Sequence, residues 1–481
     1  MYGNRWLRVI CAGAALLGVL ACVDGDSMAC GAESLEVGVA VSDVTPKLDA
    51  ARPVWLAGHE LNRPAEGVHD RLNARALVLK DGRQKIALVA VDSIGVQHPL
   101  IRRVRDQLPG FAHVLVASTH THEGPDCVGV WGPAADKSGV DPKYLDQLAA
   151  GIVEAVRRAD AQSVSATAEY GTADDVTLLK DFRLPEVYDP TLRAVRFRNA
   201  KTGKTHAVLV QWNSHPVEPD HNRLITRDMY GYIVTRLEEK FAAPVVYFSG
   251  AIGGLMGTPD KRFQDAQGNW LSKDAFDLMR MIGDAVADLT TKALDTARPI
   301  KLVPFVVSSR EVALKLDNPR FRAARRAGVL PRPAINWLGD VDRIGKRVAT
   351  DKDEGDLALR SEVAYLRLGE LHVVGIPGEL YPELVYGHFQ DPADPGADYP
   401  RAPLEPWLEK LVPGKRMLVL GLANDEVGYI IPKRQWDVEA PFAYGRSSAQ
   451  YGEANSLGPE TAALIMEALR RRIAEASADG P

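Results

Sequence analysis

Two histidines one residue apart, His120 and His122, are followed by Glu123, Gly124 and Pro125. Imidazole is the commonest side-chain metal ligand and the usual general base near neutral pH. An apolar run at 114–117 precedes the pair and reads as a buried strand, which the Gly-Pro turn stops. In α/β proteins ligands bind just beyond the carboxyl ends of strands, so His120 and His122 are the first candidates for an active centre. A second strand-like run, 207–212, reaches Asn213-Ser214-His215-Pro216. A lone histidine before proline is ordinarily structural, but the repeated layout brings His215 in as a partner for His120. A hairpin at 363–379 ends in Pro377-Gly378-Glu379, and a strand at 417–422 ends in a turn from Asn424 to Tyr429. Two neutral imidazoles, a carboxylate and a phenolate make a Zn²⁺ set with room for a water. Zinc in such a set lowers the pKa of that water to about 7 and polarises a carbonyl.

The formal net charge of −5 over 481 residues gives no strong pull towards nucleic acid or an anionic membrane. Eleven histidines is not an enriched count, so position carries the weight. At the N-terminus, Arg5 and Arg8 precede an apolar run at 9–23, which is too short to span a bilayer and reads as a secretory signal peptide. Processing at a lipobox would make Cys22 a lipidated N-terminus; cleavage after Ala32 is the other route. Both predict a secreted, periplasmic or outer-envelope protein, and residues 1–32 are set apart from the fold. The mature chain then holds at most Cys22, Cys30 and Cys127, so its globular part forms no internal disulfide. Cys127 reads as a small buried residue ahead of a fourth ligand or a nucleophile.

The elements that must position these tips form a mixed pattern. Strand 86–92, helix 99–108 and strand 114–117 are a β-α-β unit, with Asp92 and the histidines on one edge. The strand before them, from Ala74, forms a hairpin around Asp81-Gly82. Amphipathic helices are expected at 142–159 and 229–241, the second capped by Asp228, and further helices at 275–294 and 461–474. Strand 245–249 runs into the glycine-rich turn Gly250 to Gly254. Its spacing fits neither a P-loop nor a dinucleotide fingerprint, so the glycines read as room for close approach to a ligand or metal. The irregular stretch 318–360, basic at Arg320, Arg322, Arg325 and Arg326, is the candidate insertion or lid. The expected class is α/β, with mixed β-sheets flanked by helices and a metal site at strand C-terminal ends.

The motifs Thr119-His-Thr-His-x-Gly-Pro125, Trp212-x-x-His215, Gly375-Ile-Pro-Gly-Glu379 and Gly421-Leu-Ala-Asn424 to Tyr429 resemble the catalytic domain of neutral/alkaline (non-lysosomal) ceramidases. The stretch from Val37 to Thr45, Asp92 and Asp228-x-x-Gly-Tyr232 share the resemblance, which implies one large catalytic domain over 36–475. It further implies a zinc amidase that splits the N-acyl bond of ceramide or a related lipid with water activated by the metal. Zinc ligands would be His120, His215 and Glu379, completed by Tyr429. An earlier tyrosine of the family's turn is Glu426 here, so Glu426 stays open as the fourth group. His122 would face the substrate, and Arg183 matches a substrate-contacting arginine; both are carried as catalytic. Asp92, Asp228 and His221 are expected to orient the ligating imidazoles. Three departures stand out. Met256 replaces a family serine, 430–436 is much altered, and no C-terminal immunoglobulin-like domain is expected. Hydrolysis of a non-sphingolipid amide or ester, or a non-catalytic envelope lipoprotein with a structural metal, are the competing readings.

Overall fold

The computed structural model describes residues 34–219, 221–254, 257, 259, 262–272, 276–349 and 354–478. The expected signal segment with Cys22 and Cys30, and Met256, lie outside the described residues. Two mixed sheets form the framework. The first is built on β1 (Glu36–Asp43), and a short parallel pair joins β2 (Gly67–Val68) to β9 (Leu224–Ile225) beside it. From β1 the sheet continues through β3 (Asn73–Lys80), β4 (Lys85–Val91) and β5 (His113–Ser118) on one side. On the other side lie β6 (Val164–Asp174), β7 (Thr191–Asn199), β8 (Thr205–Trp212) and β10 (Val245–Ser249), with β11 (Arg298–Ile300) against β6. The second sheet contains β12 (Phe305–Lys315), β13 (Ala334–Asn336), β14 (Arg347–Val348), β15 (Leu357–Leu368), β16 (Leu371–Gly375) and β18 (Met417–Leu420). A separate parallel pair joins β17 (Glu379–Leu380) to β19 (Tyr429–Ile430).

The sheets bury one apolar face against each other, through residues such as Leu88, Leu115, Val195 and Phe248 from the first and Leu366, Val373 and Leu418 from the second. Helices cover the outer faces. Helix α1 (His98–Asp106) and α2 (Pro142–Ala161) pack on β3 to β5, and α3 (Met229–Phe241) and α4 (Phe276–Asp295) on β6 to β10. Helix α8 (Thr461–Ala478) covers the second sheet. Strands β4 and β5 are apolar along their length because they are buried on both faces. Helix α2 begins where Asp141 accepts the Lys143 N–H at 2.9 Å, a cap worth about 1 kcal/mol.

Within the two main sheets, β4 with β5, β8 with β10, and β16 with β18 are parallel neighbours. The carboxyl ends of strands from both sheets then meet and are stitched together. Gly421 N donates to the Ser249 carbonyl at 2.9 Å, Asn424 N to Val116 O at 2.7 Å, and Ser249 Oγ to Thr119 O at 2.7 Å. A seam of this kind collects every candidate tip at one place.

The Asp81-Gly82 hairpin is present, with Lys80 opposite Lys85 and Gly82 at φ 87°. The expected helices form within a few residues of their bounds, and Asp228 accepts the Met229 N–H. Segment 318–360 supplies more than a surface excursion. Asn318 caps α5 (Pro319–Arg326), β13 and β14 extend the second sheet through β15, and Arg325 is buried, donating to Val348 O. Two four-residue helices, α6 (Glu383–Tyr386) and α7 (Leu408–Leu411), complete the chain between β17 and β18.

Candidate metal centre

Strand β5 ends at Ser118, and the next residues leave the sheet through a left-handed His120, φ 76°. That conformation costs about 1–2 kcal/mol in an L-residue and persists only when its surroundings enforce it. Here His120 N donates to Ser93 O at 2.9 Å and Thr119 N to Val91 O at 2.9 Å. The His120 ring donates from Nδ1 to the Ile94 carbonyl at 2.7 Å, so its Nε2 carries the lone pair. His215, beyond β8, is built the same way: its Nδ1 donates to Ile252 O at 3.0 Å. The glycine-rich turn after β10 presents that carbonyl, and Asn213 holds the turn in place by accepting the Ala251 N–H at 3.1 Å.

The two lone pairs converge on Glu379. Its Oε2 lies 2.9 Å from His215 Nε2 and 3.5 Å from His120 Nε2. The first approach is short, yet neither buried atom makes a directed hydrogen bond. Donors that close without bonding one another suit a shared cation, since tetrahedral zinc at about 2.1 Å separates its ligands by about 3.4 Å. Burial pushes His120 down to about 3, with the neighbouring imidazoles adding to the effect, whereas Glu379 raises His215 against its burial. Burial works against ionisation of Glu379, but the His120 and His215 rings hold its carboxyl below the usual range. These residues fit a divalent metal by composition, tautomer and spacing.

His122 joins the cluster. Its Nε2 lies 3.1 Å from His120 Nε2, and one ring nitrogen from each of His120, His122 and His215 falls within 4.8 Å of the others. The β17–β19 pairing places Tyr429 in register with Glu379, and the Tyr429 ring stacks on His215 with centroids 6.3 Å apart. Glu426 turns back instead, accepting the Gly428 N–H at 2.6 Å, and burial together with the Glu379 charge lifts its carboxyl well above the usual range.

Several expected roles fall elsewhere. Asp92 accepts from Asn73 N and the Thr119 hydroxyl, and Asp228 accepts from Val217 N and Glu218 N. They brace the loops, while the backbone carbonyls of Ile94 and Ile252 orient the imidazoles; His221 is exposed. Arg183 is buried and forked onto Glu453, at 2.5 and 2.9 Å, and it also donates to the carbonyls of Tyr451 and Gln435. Those contacts make it a positioning residue for the segments around Tyr451. Cys127 is buried with its thiol on the Pro125 carbonyl, as the small-residue reading expects. The glycines after β10 admit protein: a Cβ on Gly253 would strike Tyr381 and the Glu379 carbonyl.

The other side of His122 was not anticipated. Glu218 Oε1 lies 2.8 Å from His122 Nδ1, and the His59 ring meets the His122 ring edge-on at 5.5 Å. Arg63 donates to the His122 and Ala57 carbonyls. Burial disfavours the Glu218 charge, but His122 and its neighbours hold the carboxyl at about 2. The signal in the sequence was slight: a histidine after Leu56-Ala57-Gly58, and an acid three residues after His215.

Fold and site together define the class, a mixed α/β protein with a buried imidazole–carboxylate centre where two sheets meet. Residues 35–177 match the family model for neutral/alkaline non-lysosomal ceramidase, N-terminal. No curated protein sequence matches the chain. In structure the chain is similar to the neutral ceramidase from Pseudomonas aeruginosa, with a TM-score of 0.67 and 17% identity over 93% of this chain and 75% of that one. It is also similar to a ceramidase complexed with C2, with a TM-score of 0.64 and 17% identity over 92% and 76%. The neutral ceramidase resemblance therefore holds in sequence over 35–177, and the fold is shared over most of the chain.

Proposed function

We propose that the protein is a zinc-dependent amidohydrolase of the neutral ceramidase type, cleaving the N-acyl amide bond of ceramide or a related lipid. The observation that carries this reading is the matched pair His120 and His215, each with Nδ1 on a carbonyl and Nε2 turned towards Glu379. We assign His120, His215, Glu379 and Tyr429 as the ligands. Zinc held there would supply Lewis acidity and a water that ionises near neutral pH. His122 faces the same centre through Nε2, where an N–H can be donated to the oxygen that gains charge as an amide carbonyl is attacked.

The substrate class is supported by the apolar side chains near the centre. Tyr381, Tyr429, Ile431 and Trp436 form a buried aromatic and apolar cluster, and Tyr451, 55% exposed, continues it from Tyr429 to the surface with ring centroids 5.7 Å apart. Phe182 and Leu184, flanking Arg183, are exposed as well. Such a face suits an acyl chain. The proposal includes one catalytic domain over 36–475 and a location beyond the cytoplasmic membrane, reached either with a lipid anchor on Cys22 or by cleavage after Ala32.

The test combines metal analysis with a substrate screen on N-acyl-sphingosine, N-acyl-amino acids and esters. Purified protein should contain zinc, and His120→Ala should lose more than ~100-fold in hydrolysis, beyond the loss typical of groups that merely orient a ligand. Activity without zinc, or an unchanged rate in His120→Ala, would sink the reading. Turnover of other acyl compounds with ceramide inert would move the substrate and keep the chemistry.

A further inference from the structure

We propose that His59, His122 and Glu218 form a second divalent-cation site, backing onto the first through the His122 ring. It goes beyond the amidohydrolase reading, which needs only the first centre. One ligand atom from each of the three residues lies within 4.8 Å of the others, the spacing of a set that a bound ion would draw together. Two imidazoles and one carboxylate suit a borderline divalent ion such as Zn²⁺, with further positions left for water.

Donor and acceptor accounting singles out this place. His120 donates from Nδ1 to Ile94 O, so its Nε2 can only accept. His122 Nε2 lies 3.1 Å from it, on the side of the first centre. The other ring nitrogen, Nδ1, faces the Glu218 carboxylate at 2.8 Å, and one ligand atom of His59 lies within reach of both residues. A ring proton or a bound cation can serve both atoms. A ring proton would be poorly aimed, since buried His122 Nδ1 has no directed hydrogen bond. A cation set off the N···O line, bound also by His59, meets the requirement.

The surroundings are those of a built site. The loop carrying His59 is fixed: Ala57 N donates to Gly124 O at 3.0 Å and Leu56 N to Arg63 O at 2.9 Å. Glu123, fully buried, has no hydrogen bond to either carboxylate oxygen, and its Oε1 lies 3.4 Å from His59 Nε2. A carboxylate behind an imidazole is the usual way of orienting a metal-binding histidine. Glu123 is balanced by Arg63 at 3.7 Å, which leaves the Glu218 charge for the cation. A cation on His122 Nδ1 would keep the ring proton on Nε2, facing the first centre.

The experiment is a Zn²⁺ titration of metal-stripped full-length protein, counted by elemental mass spectrometry after desalting, with circular dichroism on every variant. Wild type should retain two equivalents, and His59→Ala, Glu218→Gln and His215→Ala one each. One equivalent in wild type and in His59→Ala, with none in His215→Ala, overturns the second site and leaves the first intact. One equivalent in wild type, none in His59→Ala and one in His215→Ala supports the second site and removes the first. Two equivalents kept in both His59→Ala and Glu218→Gln also overturn the proposal. If the variants misfold, Co²⁺ absorbance of wild type decides: it should rise through two equivalents, and saturation at one is fatal.

Discussion

At Gly58 a missing side chain makes room for a working one. Its φ of 99° is one that L-residues avoid, and a Cβ there would overlap the Cβ and Cγ of His122. Gly58→Ala should therefore cost about 1–3 kcal/mol in backbone strain and displace His122. Thermal melts should register the loss, and hydrolysis should fall while zinc at the first centre is retained. A variant as stable and active as wild type would show that His122 needs no such support. The proposed fourth ligand is tested at the same scale. Tyr429 shares a register with Glu379, whereas Glu426 is engaged with its own turn. Chelator competition should show zinc affinity weakened by ~10–100-fold in Tyr429→Phe, a loss of the size seen when support of a metal site is removed, with little change in Glu426→Gln. The reverse order would exchange the two assignments.

At the scale of elements, two buried ion pairs join segments distant in sequence. Arg183 and Glu453 tie the loop between β6 and β7 to the chain that carries Tyr451. Removing one partner strands a buried charge, so Arg183→Met alone should cost about 3–5 kcal/mol, and adding Glu453→Met should recover much of it. Denaturant unfolding of the three variants checks this, and a double mutant worse than the single one contradicts it. Arg105 of α1 grips Glu362 of β15 beside His113 at the start of β5. Burial, with Arg105, lowers His113 from 6.5 to about 4. The unfolded chain then takes up the proton first on acidification, so this stability is whole above pH 6.5 and lost as pH falls towards 4. For Glu362, burial is outweighed by Arg105, and the carboxyl drops from 4.5 to about 2. Its contribution is present above pH 4.5 and lost on the way to 2. Unfolding free energy against pH should be flatter between 6.5 and 4 in His113→Gln than in wild type, by up to about 3 kcal/mol. Parallel curves would exclude His113 as a source of acid sensitivity.

For the whole molecule, the centre is also a clamp. The tips of β5, β8, β16 and β18 come from two sheets, and an ion that binds only the folded state stabilises it by mass action. At a free concentration about 100 times Kd the gain is about 2.7 kcal/mol. Zinc should thus raise the melting temperature of wild type by a few degrees, and His215→Ala should blunt the rise. An identical shift in both would place the ion elsewhere.

The residue types at the strand tips were legible in the sequence, because apolar runs ending in His, Glu or Tyr are local patterns. So were the hairpin at Asp81-Gly82, the amphipathic helices and the cap at Asp228, each set by a few neighbouring residues. Tertiary structure alone decided the rest. The Ile94 and Ile252 carbonyls that orient His120 and His215 have no side-chain signature. The partners of Arg183, about 270 positions away, depend on how distant segments pack, and the pairing of His122 with Glu218 and His59 depends on how loops from separate strands fold back. A sequence specifies which groups can ligate, but the direction of a lone pair is fixed by what the other nitrogen of the ring touches, and here that partner lies across the fold.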